Sequence, residues 1–335
     1  MLPSGPTRTD AVALAAVFDL PSLAQSRARV IALAESSNGS RAPLTAALEC
    51  DPALVLAVLR ETRTAVSHSV ASIPAALDVL SGERIASIAR RVPVYDLFTN
   101  GTSGHPTPDV FHLHARGVQR VAGELARETG HGSRDELVTA ALLHDVGKLV
   151  LECDDAAVAQ RARASNATPE ERVRDECREF GESHAAVGAR VLAALGLPPT
   201  LTRVVDAHHS PGAEDAAALV RLADMLTHYR AGRRISFDEL TSTAASVGLD
   251  RDRLGALIYE LTEPVGRRGS TECPLSEREL EVLRWLARGR LYKEIAGELG
   301  VSPSTVRNHL HHVYRKLGSR DRAQAVLLAS ERGWL

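Results

Sequence analysis

ELVTAALLHDVGKLV, residues 136–150, sets an apolar run of helix-forming residues against a His-Asp doublet, His144-Asp145, with Lys148 one turn further on. Working outward, the same kind of helical context returns four more times, each carrying a ligand-type side chain. FHLHARGVQRVAGELA (111–126) carries His114, ESHAAVGARVLAALGLP (182–198) carries His184, TRVVDAHHSP (202–211) carries His208 and His209, and AALVRLADML (217–226) carries Asp224. Imidazole nitrogens and carboxylate oxygens from several helices can converge on one or two first-row transition metals, with an aspartate bridging the pair. Each residue taken singly has a plainer reading: a satisfied structural histidine, a solvated acid, or, for His208-His209 before Ser-Pro, a helix end where imidazolium favours the dipole. His112, two residues from His114, points to another side of its helix and is not expected to be a ligand.

The composition agrees with an all-α fold. Of 335 residues 44% are hydrophobic, 24% charged and only 4% aromatic, and Ala and Leu dominate nearly every stretch. The length fits two domains, one of them subdivided. No run approaches the roughly 20 uncharged apolar residues of a membrane-spanning helix, so a cytoplasmic protein without a membrane partner is expected. Cys50, Cys153, Cys177 and Cys273 lack paired spacing, which suggests neither a disulfide framework nor a Cys-based zinc site.

The punctuation divides the chain. Residues 1–10 (MLPSGPTRTD) read as a frayed leader. Short helices fill about 11–98, broken at Pro21, at Ser36–Ser40, at Asp51-Pro52 and at Ser81-Gly82. The polar segment TNGTSGHPTP (99–108) separates them from a second helical region, about 109–262, which holds the His/Asp constellation. EPVGRRGSTECP (263–274) reads as a linker, and residues 275–335 as an independent small domain. The net charge of −2 conceals an asymmetry, because residues 275–335 hold 11 Lys/Arg against 7 Asp/Glu. Only that piece is suited to a polyanion.

In the C-terminal piece Ser276 and Glu279 form a capping-box signal, and Leu280, Leu283, Leu286 and Ala287 give the helix an apolar face that Gly289 closes. A second helix spans Tyr292 to Leu299 and ends at Gly300, where a tight turn needs a positive φ. Ser302 or Ser304 caps a third helix from about Thr305 to Leu317. On it Arg307, Asn308, His311, His312, Arg315 and Lys316 lie opposite Val306, Leu310, Val313 and Leu317. Such a face is built to meet base edges and phosphates. A fourth helix, Arg322 to Arg332, follows.

Residues 275–335 resemble the LuxR/FixJ-type DNA-binding domain, a four-helix module, through KEIA (293–296), VSPSTVRNH (301–309) and KLGSRDRAQAV (316–326). The resemblance implies a transcription regulator that binds double-stranded DNA as a homodimer with its third helix in the major groove. Carried onto this sequence, Arg307, Asn308, His311 and His312 are base or groove contacts, and Lys293, Thr305 and Lys316 are phosphate contacts. Asn308 suits an adenine edge and Arg307 a guanine. A small apolar stripe on the fourth helix would support dimerisation.

The His/Asp constellation resembles the HD superfamily of metal-dependent phosphohydrolases, LLHDVGK being its most specific portion. DPALVLAVLR (51–60), SIPAALDVL (72–80), LLHDVGKLVL and ESHAAVGARVLAALGLPP together resemble one branch, the HDOD domain, over roughly 11–262. Many HDOD members have lost metal ligands and act as signalling or scaffold modules. This sequence keeps the full set, and departs from the branch by reading ETRTAV after Leu59-Arg60 where Asn-Ser is usual. The resemblance implies one or two divalent ions, Fe or Mn rather than Zn, held by His114, His144, Asp145, His184, His208, His209 and Asp224, with no organic cofactor. In a hydrolase, metal-activated water would attack phosphorus, Asp145 serving the metals and Lys148 steadying a phosphate. Three functions remain open: a regulator sensing a nucleotide or other phosphate-bearing effector, a metal or a partner; a phosphodiesterase, acting for instance on a cyclic nucleotide; and a metal-free scaffold.

Overall fold

A computed structural model describes residues 20–36, 41–65, 70–95, 108–154, 167–262, 273–319, 322–331 and 334–335. The leader at 1–10, nearly all of the segment at 99–108 and most of the linker at 263–274 lie outside them. The fold is all-α with almost no strand. It divides into two compact units, residues up to His228 with Arg233–Arg251, and Tyr229–Gly232 with Asp252–Leu335.

In the first unit the chain opens with β1 (Ser22–Leu23), followed by α1 (Ala24–Glu35), α2 (Arg41–Leu48), α3 (Pro52–Ala65), α4 (Ile73–Val79), α5 (Gly82–Arg91) and β2 (Val94–Tyr95). The breaks fall where the sequence places stops, since Pro52 occupies the first turn of α3, and Ser72 and Ser81 cap α4 and α5. β1 and β2 pair in parallel over two residues, too short a length to leave an alternating pattern in the sequence. Then come α6 (Pro108–Thr129), α7 (Arg134–Leu143), α8 (Val146–Asp154), α9 (Pro169–Phe180), α10 (His184–Ala194), α11 (Pro199–Ala207), α12 (Asp215–Arg230) and α13 (Phe237–Ser246). A Thr168–Glu171 capping box starts α9, and Ser183 caps α10. One buried cluster runs from Leu20 to Val205 and joins residues of α1–α5 to those of α7, α8, α10 and α11.

Asp51 fastens the junction. Its Oδ2 accepts from Ser22 Oγ (2.7 Å) and Leu23 N (3.1 Å), and its Oδ1 from Ala53 N (3.0 Å) and Leu54 N (3.3 Å). His112 Nε2 of α6 stands 3.4 Å from Oδ1, both side chains being fully buried. His112 therefore faces the N-terminal helices, away from His114, as its place on the helix predicts.

The second unit contains α14 (Arg251–Thr262), α15 (Glu277–Ala287), α16 (Tyr292–Leu299), α17 (Pro303–Leu317) and α18 (Arg322–Glu331). The last four surround Val282, Leu283, Leu286, Ile295, Val306, Leu310, Val313 and Leu317. The capping box of Ser276 and Glu279 is present, and Gly300 takes φ 64° at the turn. α17 begins at Pro303 with Ser302 as its cap, two residues earlier than expected, because Pro303 fits the first turn where no N–H is needed. Among the described residues no single helix is long and apolar enough to cross a membrane; the bent apolar pair α2–α3 buries Leu44, Leu48, Leu54, Val55, Val58 and Leu59 in the core.

Candidate functional site

α6, α7, α8, α10, α11 and α12 bring the seven His/Asp residues together. His144 and Asp145 occupy the tight turn between α7 and α8, His184 begins α10, His208 and His209 follow the last residue of α11, and Asp224 lies in mid-α12. His144, Asp145, His184, His208 and Asp224 are buried, and His114 and His209 are half-buried.

Three imidazoles are fixed by hydrogen bonds on the far side of the ring. His144 Nδ1 donates to Ala141 O at 2.7 Å, His208 Nδ1 to Val205 O at 2.6 Å, and His184 Nδ1 to Glu176 Oε2 at 2.6 Å. A ring that donates through Nδ1 while neutral presents a bare lone pair at Nε2. Those Nε2 atoms, with Nε2 of His114 and His209, Oδ1 of Asp145 and Oδ1 of Asp224, are buried without a hydrogen-bond partner. Acceptor faces acceptor: His184 Nε2 lies 3.1 Å and His144 Nε2 3.4 Å from Asp145 Oδ1, while His114 Nε2 lies 3.0 Å from Asp224 Oδ1. Buried lone pairs at that range repel unless a cation stands between them. Two donors about 2.1 Å from one ion and at right angles to each other stand about 3.0 Å apart. The residues thus fit a metal centre.

The electrostatics agree. Burial pushes the Asp145 carboxyl up, but His144, Lys148 and His184 outweigh it and hold the group well below the usual carboxylate range. Asp224 is held low in the same way, against burial, chiefly by His228 and His114. Burial, reinforced by His144 and His184, pushes His208 down to about 3. Burial also depresses His209, His228 and His114. Only His184 goes up, because Glu176 and Asp145 overcome burial and Lys148. Neutral imidazoles at His114, His208, His209 and His228 beside ionised Asp145 and Asp224 are the protonation states that metal ligation requires, whereas His184 would give up its proton to an ion.

Asp145 turns one oxygen to each side, Oδ1 towards His184 and His144, Oδ2 towards His114 at 3.4 Å. Lys148 Nζ, expected at a phosphate, donates to that same Oδ2 at 2.6 Å and keeps its side chain 28% exposed.

On the second unit, Arg307, Asn308, His311, His312, Arg315 and Lys316 are exposed while Val306, Leu310, Val313 and Leu317 are buried. Lys293 is exposed on α16, and Thr305 Oγ1 hydrogen-bonds Ser302 Oγ at 2.8 Å at the start of α17. Lys316 differs from its neighbours because its Nζ donates to Oε2 of the buried Glu279 at 2.6 Å.

Residues 20–211 match the HDOD domain family model. The chain belongs to the HDOD family. Its C-terminal end carries a helix-turn-helix domain, residues 273–329 matching the family described as bacterial regulatory proteins, luxR family. Among curated proteins, this HDOD chain is 43% identical over 61 residues to the transcriptional regulatory protein DesR of Bacillus subtilis, covering 18% of this chain and 31% of DesR. It is 34% identical over 143 residues to the probable transcriptional regulatory protein NarL of Mycobacterium tuberculosis, covering 42% of this chain and 64% of NarL. The chain thus spans about a third of the one relative and under two thirds of the other. In fold it is similar to the MmoQ response regulator of Methylococcus capsulatus, with TM-score 0.56 and 19% identity over 72% of this chain and 98% of that one. A virulence factor from Campylobacter jejuni gives TM-score 0.56 and 13% identity over 75% and 94%.

Sequence reasoning missed two residues of the HDOD centre. Glu176 takes both the backbone N–H (2.9 Å) and Nδ1 of His184, but it lies eight residues upstream across a helix break, where no periodicity reports it. His228 approaches Asp224 at 3.3 Å and stacks on His114 with centroids 4.7 Å apart. Its spacing of four from Asp224 on one helix was a usable signal.

Proposed function

We propose that this protein is a DNA-binding transcription regulator whose HDOD unit holds one or two divalent transition-metal ions and senses a small ligand, a metal or a partner protein. The observation that carries it is α17, where four groove-type side chains, Arg307, Asn308, His311 and His312, stand exposed on a rod anchored by the buried Val306, Leu310, Val313, Tyr314 and Leu317 inside the part matching the luxR family. Such a rod fits the major groove, and the protein is read as a homodimer on a two-fold site. Lys293 and Thr305 serve as phosphate contacts. An effector at the HDOD centre acts only through a difference in its affinity for the DNA-competent and DNA-incompetent states. The test is a mobility-shift titration: affinity for duplex DNA falls steeply with salt, and Arg307→Ala with His311→Ala abolishes sequence preference. Preference that survives the double substitution rejects α17 as the reading helix.

The buried ligand atoms without hydrogen-bond partners favour a second reading, a metal-dependent phosphohydrolase with an attached DNA-binding domain. His114, His144, Asp145, His184, His208, His209 and Asp224 would hold the metal, and a divalent ion there supplies Lewis-acid polarisation of a phosphoryl oxygen. Asp145 orients towards both sides of the centre, Glu176 fixes the His184 ring, and Lys148 keeps a positive charge at the accessible rim. Elemental analysis followed by a nucleotide hydrolysis screen, with Asp145→Ala as control, separates the readings: metal without turnover keeps the sensor, and turnover lost in the variant establishes the hydrolase.

A further inference from the structure

We infer that His228 is a cation ligand, joining His114 and Asp224 at one end of the HDOD centre. This rests on the metal-centre reading above and adds a residue that the His/Asp pattern does not contain. Asp224 and His228 sit four apart on α12, so both project from one face of the helix, and both are buried. Their partners converge on a single atom. His114 Nε2 lies 3.0 Å, His228 Nε2 3.3 Å and His144 Nε2 3.8 Å from Asp224 Oδ1.

A carboxylate oxygen has two lone pairs, so it cannot satisfy three imidazoles, and this one has no hydrogen bond of good geometry. The ligand atoms of His114, Asp224 and His228 all lie within 4.8 Å of one another. Asp145, His184, His208 and His209 form a separate group with the same closeness. A third group, His114, His144 and Asp145, links the two, so the centre has two ends joined through His114 and Asp145, and His228 belongs to the first. Its chemical consequence is selectivity. A second imidazole beside His114 moves that end away from hard, oxygen-seeking Mg2+ and towards Fe2+, Co2+ or Mn2+.

The rival role for His228 is a structural donor that only orients Asp224. The test uses the full chain stripped with chelator and titrated calorimetrically with Mn2+, with Co2+ and with Mg2+. Wild type is expected to take two transition-metal ions. His228→Ala and His228→Gln are each expected to weaken one of them at least tenfold, leave the other unchanged and narrow the preference for Mn2+ over Mg2+. Gln keeps an N–H near Asp224 and restores affinity if the role is orientation alone, so wild-type affinity in the Gln variant overturns the inference. A readout free of any variant is the anomalous map of wild-type crystals soaked in Mn2+. A peak within about 2.4 Å of His228 Nε2 supports the assignment, and a loaded centre whose ions all stay beyond about 3 Å overturns it. Wild type that binds no ion overturns the metal-centre reading as well, a different result from two ions bound without His228.

Discussion

Gly147→Ala would break the proposed metal centre without touching a ligand. Gly147 follows the His-Asp doublet at the start of α8, where that helix crosses α10, and a Cβ there would stand 2.0 Å from His184 O and 2.6 Å from Gly188 N. Both obstacles are backbone, so no side chain can rotate out of the way. Relieving a 2.0 Å contact to the tolerable 3.0 Å parts the helices by about 1 Å. That displacement falls on Asp145 and His184, whose ligand atoms would move from 3.1 Å to about 4 Å. Donors sharing one ion with bonds of about 2.1 Å stand about 3.0 to 3.4 Å apart in octahedral or tetrahedral geometry, so the pair would cease to share it. Overpacking of this kind costs about 1–3 kcal/mol, a fall in melting temperature of about 2 to 12 °C for a unit of this size. Metal affinity should fall by about 10- to 100-fold, as when outer support of a ligand is lost. The assay is differential scanning calorimetry with and without Mn2+, beside Gly132→Ala, where an added Cβ meets nothing within 4 Å. A Gly147→Ala protein that melts and binds Mn2+ as Gly132→Ala does would refute the reasoning.

Asp51→Ala removes the acceptor for Ser22, Leu23, Ala53 and Leu54 and the partner of buried His112, a loss expected to cost about 3–5 kcal/mol; an unchanged denaturation midpoint contradicts it. Lys316→Ala removes the charged donor to the buried Glu279, leaving Oε2 only the Ser276 N–H, and should lower the melting temperature of the second unit, whereas Arg307→Ala should leave it within about 1 °C and weaken DNA binding alone. Metal-free protein should be less stable at pH 5 than at pH 7.5. His208, His209, His114 and His228 titrate below 6.5 when folded, so the unfolded chain takes up protons first, and their stabilisation drains away from pH 6.5 down to about 3 for His208. His184, raised in the fold, works in the opposite sense but is one ring against four. A melting temperature equal or higher at pH 5 would contradict the neutral imidazoles.

How much of this could be read in the sequence depended on whether the deciding contact was local. Ser276 with Glu279 and Gly300 at its turn are decided within four residues, and the exposed and buried faces of α17 follow from helical period alone. Lys316 is the exception on that helix: its partner Glu279 lies 37 residues away, so periodicity shows an outward cation and not one folded back onto a buried acid. In the His/Asp constellation, residue type and order picked out seven ligand-type side chains, but only the fold brings their ligand atoms within bonding range of common ions. Gly147 illustrates the same limit. LLHDVGK reads as a motif, yet the need for glycine at its sixth position comes from the α10 backbone 37 residues later.

The core explains why the centre can matter to more than its own surroundings. Residues of α1–α5 and of α7, α8, α10 and α11 share one buried cluster, so the N-terminal helices share their interior with the helices that position His144, Asp145, His184, His208 and His209. Close-packed interiors transmit displacement instead of absorbing it. Asp51 adds a polar tie: it holds β1 and the start of α3 and faces His112, two residues before His114 on the same helix. An ion that binds only the folded unit stabilises it by RT ln(1 + [L]/Kd), about 2.7 kcal/mol at a hundred times Kd. Because α1 and α10 contribute to the same cluster, that stabilisation is expected at α1 as well as at α10. Under the proposed sensor role, an occupant of the centre would set the order of helices that carry no ligand, through the cluster they share with the ligand-bearing ones.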